Sequence, residues 1–238
     1  MKAVLIAGGQ GKRLRPLTDA IPKPMVKVAG EPIIVHQIYW LRGFGIKKFI
    51  LAVSHLKEVI IDIIDDGSKL GVQVEYVAEE YPMGTAGALF NTKSRVKLDN
   101  ERILCLNGDV LTTLNITGLI ETLNSKPEAV GVLSLVPLPS PYGVVKMQGN
   151  FIQGFMEKPV LKDHWINAGV YCFRPEIFSA LPNQGSLELD VFPKLARQQK
   201  LLAYKEPNCF WTSIDGFKDL ENATKFYQEQ AVLAKRGT

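Results

Sequence analysis

The alternation of short apolar runs with helical patterns constrains the fold of this chain more than any other feature of its sequence. In the first half, runs rich in β-branched residues predict strands at Lys2–Ala7, Lys48–Val53, Gln73–Val77, Arg102–Leu106 and Ala129–Val136. Helical periodicity between these runs predicts helices at Ile33–Arg42, Glu58–Asp65, Ala86–Val96 and Ile116–Ser125. Strands that are apolar on both faces are typical of parallel sheets covered by helices on two sides. The pattern therefore predicts an α/β fold with a Rossmann-like, mostly parallel sheet in a three-layer sandwich.

The second half of the chain has a different pattern. Two apolar runs, Val144–Met147 and Phe151–Met156, flank Gln148-Gly149-Asn150 and predict a β-hairpin. Further strands are predicted at Ile166–Phe173 and Leu201–Tyr204, and a final amphipathic helix at Phe217–Lys235. The sequence shows no repeat, linker or low-complexity tract. We therefore expect one domain over residues 1–238, with a parallel half (1–136) and a more antiparallel half (137–238).

Composition excludes several classes of protein. With 238 residues, 46% of them hydrophobic, the chain can bury a full core and differs from disordered sequences. No apolar run approaches the roughly 18 residues that a membrane-crossing helix needs, so no membrane partner is expected. The three cysteines, Cys105, Cys172 and Cys209, are odd in number and far apart. This pattern argues against a disulfide framework or a zinc site and predicts a cytoplasmic protein.

The net charge of +4, from 28 Lys+Arg and 24 Asp+Glu, is concentrated near the start of the chain. Lys12, Arg13 and Arg15 form the longest basic cluster, and Lys23 and Lys27 follow within a segment rich in glycine and proline. Nucleic-acid-binding chains of this size usually carry a basic stripe with interleaved aromatic residues, and the sequence has none. The charge therefore favours a small polyanion as ligand and argues against a nucleic acid.

The glycine-rich segment after the first strand, residues 7–16, fits neither of two familiar phosphate-binding motifs. A P-loop would need glycine in place of Ile6 and Ser or Thr in place of Arg13, and a dinucleotide fingerprint would need glycine in place of Leu14. The segment is still a glycine-rich turn at the carboxyl end of a strand. Its backbone N–H groups could approach a phosphate that Arg and Lys neutralise. A turn with solvated basic residues is the alternative.

Seven short segments, in order, carry a resemblance to a known family. They are Gly8-Gly9-Gln10-Gly11-Lys12-Arg13-Leu14-Arg15-Pro16-Leu17-Thr18 with Pro22-Lys23-Pro24-Met25, then Gly84-Thr85-Ala86-Gly87, Asn107-Gly108-Asp109, Tyr142-Gly143, Glu157-Lys158-Pro159, Asn167-Ala168-Gly169 and Phe210-Trp211 with Asp215. The set closely resembles the motifs of sugar-1-phosphate nucleotidylyltransferases. The resemblance implies a sandwich of the nucleotide-diphospho-sugar transferase type, with a nucleotide-binding half (1–136) and a sugar-binding half (137–238).

The implied reaction is attack by a sugar 1-phosphate on the α-phosphorus of a nucleoside triphosphate, with release of pyrophosphate. By resemblance, Arg13, Lys23 and Asp109 are catalytic, with a surface lysine as the alternative for Lys23. The nucleotide-binding residues that the resemblance implies are Ala7, Gly8, Gly9, Gly11, Lys12, Arg13, Glu79, Gly84 and Thr85. The nucleophile is a phosphate monoester with a second pKa near ~6, so it needs no general base at neutral pH. Positioning and cations should therefore dominate the catalysis.

The resemblance implies a Mg²⁺ cofactor held by two aspartates. Asp109 follows an apolar strand and two small polar residues, which places it where α/β sheets bind ligands; a simple turn aspartate is the alternative. The second ligand depends on alignment, because anchoring on Asp219 would put Ser213 at the usual position. The local spacing resembles that of glucose-1-phosphate cytidylyltransferases, and this resemblance implies that Asp215 is the second ligand.

The implied sugar-phosphate-binding residues lie in the second half: Tyr142, Gly143, Glu157, Lys158, Asn167, Gly169 and Trp211. Lys158 could neutralise the sugar phosphate and Glu157 could accept from sugar hydroxyls. Adjacent residues on a strand point to opposite faces, so these two are not expected to pair with each other. Trp211 could stack on the sugar or belong to the core.

The nucleotide base is expected to lie near Glu79. A carboxylate only accepts hydrogen bonds, and guanine presents two donors side by side, so Glu79 favours GTP over UTP or dTTP. The run Glu79–Gly87 also resembles that of mannose-1-phosphate guanylyltransferases, whereas the tail resembles cytidylyltransferases. GTP and mannose 1-phosphate are therefore predicted, with UTP, dTTP or CTP and glucose or heptose 1-phosphate as alternatives.

Other readings stay open. A regulatory subunit that binds nucleotide sugars without turnover would usually have lost Arg13 or a metal ligand, and here all are present. Apolar helical faces, such as that of Ile38 and Leu41, could belong to the core or to a homo-oligomer interface. The β-helix or acyltransferase domain that the family often appends is not expected.

Overall fold

The computed structural model describes residues 1–94 and 101–236 of the protein. Its strands are β1 (Lys2–Ile6), β2 (Lys27–Val28), β3 (Glu31–Pro32), β4 (Lys48–Val53), β5 (Gln73–Ala78), β6 (Ile103–Asn107), β7 (Val110–Thr112), β8 (Gly131–Pro139), β9 (Val144–Gln148), β10 (Phe151–Met156), β11 (Val160–Phe173), β12 (Leu201–Lys205) and β13 (Trp211–Ser213). Its α-helices are α1 (Ile33–Gly43), α2 (Lys57–Ile64), α3 (Gly84–Asn91), α4 (Ile116–Asn124), α5 (Phe192–Arg197) and α6 (Phe217–Arg236).

Seven of the strands form the central sheet, in the order β12-β8-β11-β6-β1-β4-β5. The pairs β1–β4, β1–β6, β4–β5 and β8–β12 are parallel, and β11 is antiparallel to both of its neighbours. The predicted mostly parallel sheet is therefore confirmed, and it includes strands from both halves of the sequence. The predicted hairpin is also present: β9 and β10 pair antiparallel in a separate two-stranded sheet.

Side chains on the two faces of the sheet pack into two separate hydrophobic clusters. Along β1, Leu5 points into the cluster under α1, α2 and α4, whereas Val4 points into the cluster under α3 and α5, because successive residues of a strand face opposite sides. Ile38 and Leu41 of α1 are fully buried in the first cluster. The predicted three-layer sandwich is thus confirmed, and this helical face belongs to the core.

A third, smaller cluster attaches the last helix to the beginning of the chain. Ala223 of α6 packs with Leu14, Val28 and Ile214, near the pairs β2–β3 and β7–β13. These short strands, and helix α5, were not predicted from the sequence. The predicted helix Ala86–Val96 ends outside the described residues.

Among the helices in the described part of the chain, none combines the length and the apolar character that crossing a membrane requires.

Candidate active site

The carboxyl ends of four neighbouring parallel strands surround a cavity of about 370 Å³. Gly8 and Gly9 follow β1, Ser54 follows β4, Glu79 follows β5, and residues 107–109 end β6. This edge of an open α/β sheet is where such folds bind ligands, because the loops there diverge around a crevice. Gly84, Thr85 and Lys23 also line the cavity, so residues from distant parts of the sequence are brought together.

The glycine-rich loop is held in one conformation by its neighbours. Gly11 has a φ of +63°, and a Cβ atom there would lie 2.8 Å from Thr18 Cγ2 and 3.0 Å from Lys23 Cβ, so only glycine fits without strain. Thr18 Oγ1 donates to Gly11 O at 2.8 Å. The next residues form a short 3₁₀ turn that presents Lys12 and Arg13. The loop therefore directs two cations toward the cavity edge.

A charged centre joins the loop to both predicted metal ligands. Lys23 Nζ lies 2.5 Å from Asp109 Oδ2 and 2.9 Å from Asp215 Oδ1, and Arg13 Nη2 lies 2.8 Å from the same Asp215 oxygen. The Lys23 side chain is only 10% exposed, so the alternative that Lys23 is a surface lysine is wrong. A second cavity of about 190 Å³ opens here, lined by Gly9, Gly11, Lys12, Arg13, Lys23, Asp109 and Asp215.

The neighbours of Asp215 favour the ionised form of its carboxyl group. Its partial burial opposes ionisation, but the hydrogen bond and charge of Lys23, the charge of Arg13 and a hydrogen bond from Ser213 outweigh that effect. Together they hold the pKa of Asp215 below its usual value. Asp215 is therefore a carboxylate at neutral pH, in contact with two cations.

The backbone places Asp215 beside Asp109. Strand β13 pairs with β7, and Ile214 N donates to Asp109 O at 2.9 Å. Asp219 Oδ2 accepts from the N–H groups of Asp215 and Gly216 at 3.0 and 2.9 Å, at the start of α6. The Asp215 carboxylate thus lies against Lys23. Ser213, the residue that the other alignment would select, donates a hydrogen bond to Asp215.

A buried glutamine that was not predicted as a site residue holds the turn that carries Asp109. Gln37 of α1 is 1% exposed, and its Nε2 donates to Asn107 O at 2.9 Å and to Val110 O at 2.8 Å. Gly108 lies so close to β1 that a Cβ there would be 2.5 Å from Ile6 O. The one available signal is a polar residue on an otherwise apolar face of α1.

Glu79 lines the larger cavity, as predicted for a residue near the base. Burial raises the pKa of Glu79, and the long 3.4 Å hydrogen bond from Met83 N only partly opposes this effect. Gly84 has a φ of +73°, and a Cβ there would lie 2.3 Å from Gly185 O. Glycine is therefore required where the two loops touch.

Two of the predicted sugar residues lie next to the cavity wall. Gly169 has a φ of +71°, and a Cβ there would be 3.0 Å from Nδ2 of Asn107, a lining residue. Asn167 Oδ1 accepts from Gly169 N at 2.9 Å. Trp211 Nε1 donates to Ala168 O at 2.8 Å, and the partly buried indole packs against the first core cluster.

The other predicted sugar residues lie at the base of the hairpin, outside the lining of both cavities. Tyr142 is 77% exposed, and a Cβ on Gly143 would lie 3.1 Å from Glu157 Oε2. The expectation that Glu157 and Lys158 do not pair was wrong, because their charged atoms are 3.3 Å apart. Strand β10 has ended at Met156, and Lys158 adopts a φ of +47°, so strand alternation no longer applies.

One predicted nucleotide-binding residue is positioned differently from the others. Ala7 is fully buried and its N–H donates to Ala52 O at 2.8 Å, so it contributes neither its side chain nor this N–H group to the cavity. Gln10 and Ser54, which were not selected individually, do line the cavity.

The fold and site together define an α/β protein in which a glycine-rich, cationic loop lies beside paired carboxylates. Residues 2–230 match the family model of the nucleotidyl transferases. The chain belongs to this family, and the resemblance inferred from its motifs is confirmed.

Individual relatives agree with the family. The chain is 36% identical over 234 residues to the mannose-1-phosphate guanyltransferase of Pichia angusta, covering 95% of this chain and 64% of that protein. It is 37% identical over 223 residues to the mannose-1-phosphate guanylyltransferase catalytic subunit beta of Drosophila melanogaster, covering 92% and 60%. The chain thus spans somewhat less than two thirds of these curated relatives.

A solved structure shares the fold. HddC from Yersinia pseudotuberculosis, complexed with GMP-PN, is 26% identical, with a TM-score of 0.73 and coverage of 95% of this chain and 99% of that one.

Proposed function

We propose that the chain transfers a nucleoside monophosphate from a nucleoside triphosphate to a sugar 1-phosphate and releases pyrophosphate. GTP and mannose 1-phosphate are the proposed pair. The observation that carries the proposal is the charged centre, in which Lys23 lies between Asp109 and Asp215 beside the glycine-rich loop and Arg13. Two polyanionic substrates need such convergent cations next to backbone N–H donors.

The residues present suit a reaction without a protein nucleophile. The attacking phosphate monoester is mostly dianionic at pH 7, because its second pKa is about 6. Arg13 would neutralise the triphosphate, and Lys23 would hold the phosphates in the cavity that both residues line with Asp109 and Asp215. Catalysis would then come from orienting the two phosphates and from stabilising charge at the α-phosphate.

The donor set fits Mg²⁺. Asp109 Oδ2 and Asp215 Oδ1 lie close enough together that both accept from Lys23 Nζ. Within residues 1–94 and 101–236, no cluster of three or more His, Cys, Asp or Glu side chains could hold a metal. Mg²⁺ is usually bound by one or two carboxylates together with substrate phosphates, and two carboxylates are what this site offers. When bound, the ion would neutralise phosphate charge.

Glu79 supports the choice of GTP. Its carboxylate lines the larger cavity and can only accept hydrogen bonds, which suits the paired N–H donors of guanine. The guanylyltransferase names of the relatives from Pichia angusta and Drosophila melanogaster point the same way. Glucose and heptose 1-phosphates are the alternative acceptors.

The test is a matrix of four triphosphates and a panel of sugar 1-phosphates with Mg²⁺, measured as pyrophosphate release. We expect the highest kcat/KM for GTP with mannose 1-phosphate, and loss of most activity in Asp109→Ala without loss of the fold. If no pair releases pyrophosphate, the proposal is rejected, and nucleotide-sugar binding without turnover would indicate the regulatory subunit instead.

The Glu79→Gln variant tests whether Glu79 contacts the nucleotide base. We expect Glu79→Gln to lower kcat/KM for GTP and to raise the UTP-to-GTP ratio, because an amide carries its own donor. Glu80→Gln, an exposed neighbour, is the matched control. An unchanged UTP-to-GTP ratio in Glu79→Gln would reject Glu79 as the base contact.

A further inference from the structure

A carboxylate outside all the predicted site residues connects the two sides of the site. Glu188 lies in a single π-helical turn, Leu187–Val191, that packs against α3. Its Oε2 accepts from Thr85 Oγ1 at 2.7 Å and from Ser186 Oγ at 2.8 Å. Its Oε1 accepts from Tyr171 Oη at 3.4 Å. π-helical turns within helices are frequent at functional sites.

The bonds around Glu188 leave its neighbours little freedom. A carboxylate accepts only, so each hydroxyl must direct its proton toward Glu188. Thr85 Oγ1 also accepts from Leu187 N at 2.8 Å. With one proton given and one lone pair used, this hydroxyl has one lone pair left. Thr85 lines the cavity, and its hydroxyl can therefore only accept a hydrogen bond from a ligand.

Tyr171 links Glu188 to Asn167 on the proposed sugar side through two hydrogen bonds. Burial, and then the charge of Glu188, raise the pKa of Tyr171 far above its usual value, so the phenol keeps its proton and donates it to Glu188. Tyr171 Oη accepts from Asn167 Nδ2 at 2.8 Å, and Asn167 Oδ1 accepts from Gly169 N at 2.9 Å. One N–H of the Asn167 amide is not used in these bonds. These bonds fix the orientation of the Asn167 amide and leave one N–H group as a donor.

We propose that Glu188 is a positioning residue that fixes the Thr85 hydroxyl as an acceptor and, through Tyr171, the orientation of the Asn167 amide, and so controls hydrogen bonding on both substrate sides from one carboxylate. This inference rests on the proposed function for the identity of the substrates. It predicts that the ligand group facing Thr85 is an N–H or O–H donor. It also predicts that changes at Thr85 and Tyr171 affect catalysis through a shared partner.

The test is a mutant cycle built on Glu188→Gln. The amide keeps the size of the side chain but replaces one acceptor with a donor, so at least one hydroxyl must reverse. We expect kcat/KM to fall by about ten- to a hundredfold, the range for lost hydrogen bonds to a charged group. Thr85→Val and Tyr171→Phe should each lower kcat/KM alone and cost little more in the Glu188→Gln background, because linked residues are not additive.

Asp190→Asn is the matched control. Asp190 lies on the same turn, and its Oδ2 accepts only from Ser186 N, at 2.7 Å, among the side-chain bonds of the described residues. We expect its kcat/KM to stay within twofold of the unmodified protein. Melting temperatures of all variants separate a loss of fold from a loss of positioning, and Tyr171→Phe keeps the test open if Glu188→Gln does not fold.

Unchanged kcat/KM in folded Glu188→Gln would overturn the proposal, and so would fully additive effects in the cycle. Calorimetric binding of GTP with Mg²⁺ distinguishes this failure from failure of the proposed function. If the unmodified protein binds GTP without releasing pyrophosphate, the cycle is read from Kd instead of kcat/KM. If it binds no nucleotide at all, both proposals are rejected.

Discussion

At the scale of single residues, the site consists of the nearly buried ammonium group of Lys23 and the carboxylates that neutralise it. Lys23 is nearly buried, and two carboxylates contact it. Burying a cation is costly unless it is paired, so the aspartates stabilise Lys23 as much as Lys23 stabilises them. The prolines on either side begin and hold a short 3₁₀ turn, in which Met25 N donates to Pro22 O at 2.8 Å. The backbone thereby fixes where the ammonium can reach.

This balance predicts a pH-dependent effect of Asp215→Asn on stability. The pKa of Asp215 lies below its ordinary value near 3.8, so its ionised form stabilises the folded state above that pH and the benefit is lost as pH falls through the folded-state pKa. We expect Asp215→Asn to melt at a lower temperature than the unmodified protein at pH 7, with the difference shrinking below about pH 3.8.

Asp19→Asn is the control for that measurement. Asp19 pairs with Arg15 at 3.3 Å, but both side chains are more than half exposed, and exposed pairs contribute little. Its melting temperature should follow the unmodified protein at both pH values. A difference for Asp215→Asn that stays constant from pH 7 to pH 3 would contradict the assigned role of the carboxylate.

Sequence reasoning located the residues that carry formal charge better than those that position them. Arg13, Lys23, Asp109 and Asp215 were selected through the resemblance of their motifs to the family, and the structure brings all four together. Gln37 and Glu188 act through backbone carbonyls and hydroxyls from distant segments. Such contacts have no spacing in the sequence, so they could not be predicted without coordinates.

At the scale of elements, apolar periodicity predicted the large strands and helices, whose burial follows directly from that pattern. The pairs β2–β3 and β7–β13 contain two or three residues each, too few for a period to show. Strand β11 begins at Val160, six residues before the predicted start. Exposed polar residues and an irregularity in its pairing with β8, between Leu161 and Trp165, interrupt the alternation there.

The contact between helix α1 and the turn after β6 can be tested directly. Helix α1 holds the turn between β6 and β7 through the two hydrogen bonds of Gln37, and that turn carries Asp109. Gln37→Met keeps the volume but removes both donors and leaves two carbonyls unsatisfied. We expect unfolding to become easier by about 1–3 kcal/mol, and kcat/KM to fall because Asp109 is no longer fixed.

Urea denaturation and pyrophosphate release measure the two effects separately. Tyr39→Phe, on the exposed side of the same helix, is the control and should change neither. If Gln37→Met loses stability but keeps its kcat/KM, the hydrogen bonds from Gly108 N to Ile6 O and from Ile214 N to Asp109 O are sufficient to hold the turn.

At the scale of the whole molecule, the site depends on both faces of one sheet. The loops that carry Lys23 and Asp109 rest on the cluster under α1, α2 and α4, whereas Thr85 and Glu188 belong to elements of the opposite cluster. The strands between them are shared, with Leu104 and Leu106 of β6 facing one cluster and Cys105 the other. Because the two clusters cover opposite faces of the same strands, loss of packing in one cluster would expose one face of the sheet on which the other cluster also packs.

This arrangement predicts that the chain unfolds as one cooperative unit, as a single domain over residues 1–238 requires. Ile38→Ala removes a fully buried side chain from the first cluster, and Ile177→Ala removes one from the second. Each should cost about 2–5 kcal/mol, and each should shift the same transition, because both clusters pack on the strands of one sheet. Urea denaturation followed by tryptophan fluorescence and by far-UV circular dichroism gives the test. Coincident curves that move together for both variants support one unit. If Ile177→Ala instead separates an early transition from a late one, the halves 1–136 and 137–238 are independent units, and the coupling between Thr85 and Glu188 crosses a domain boundary.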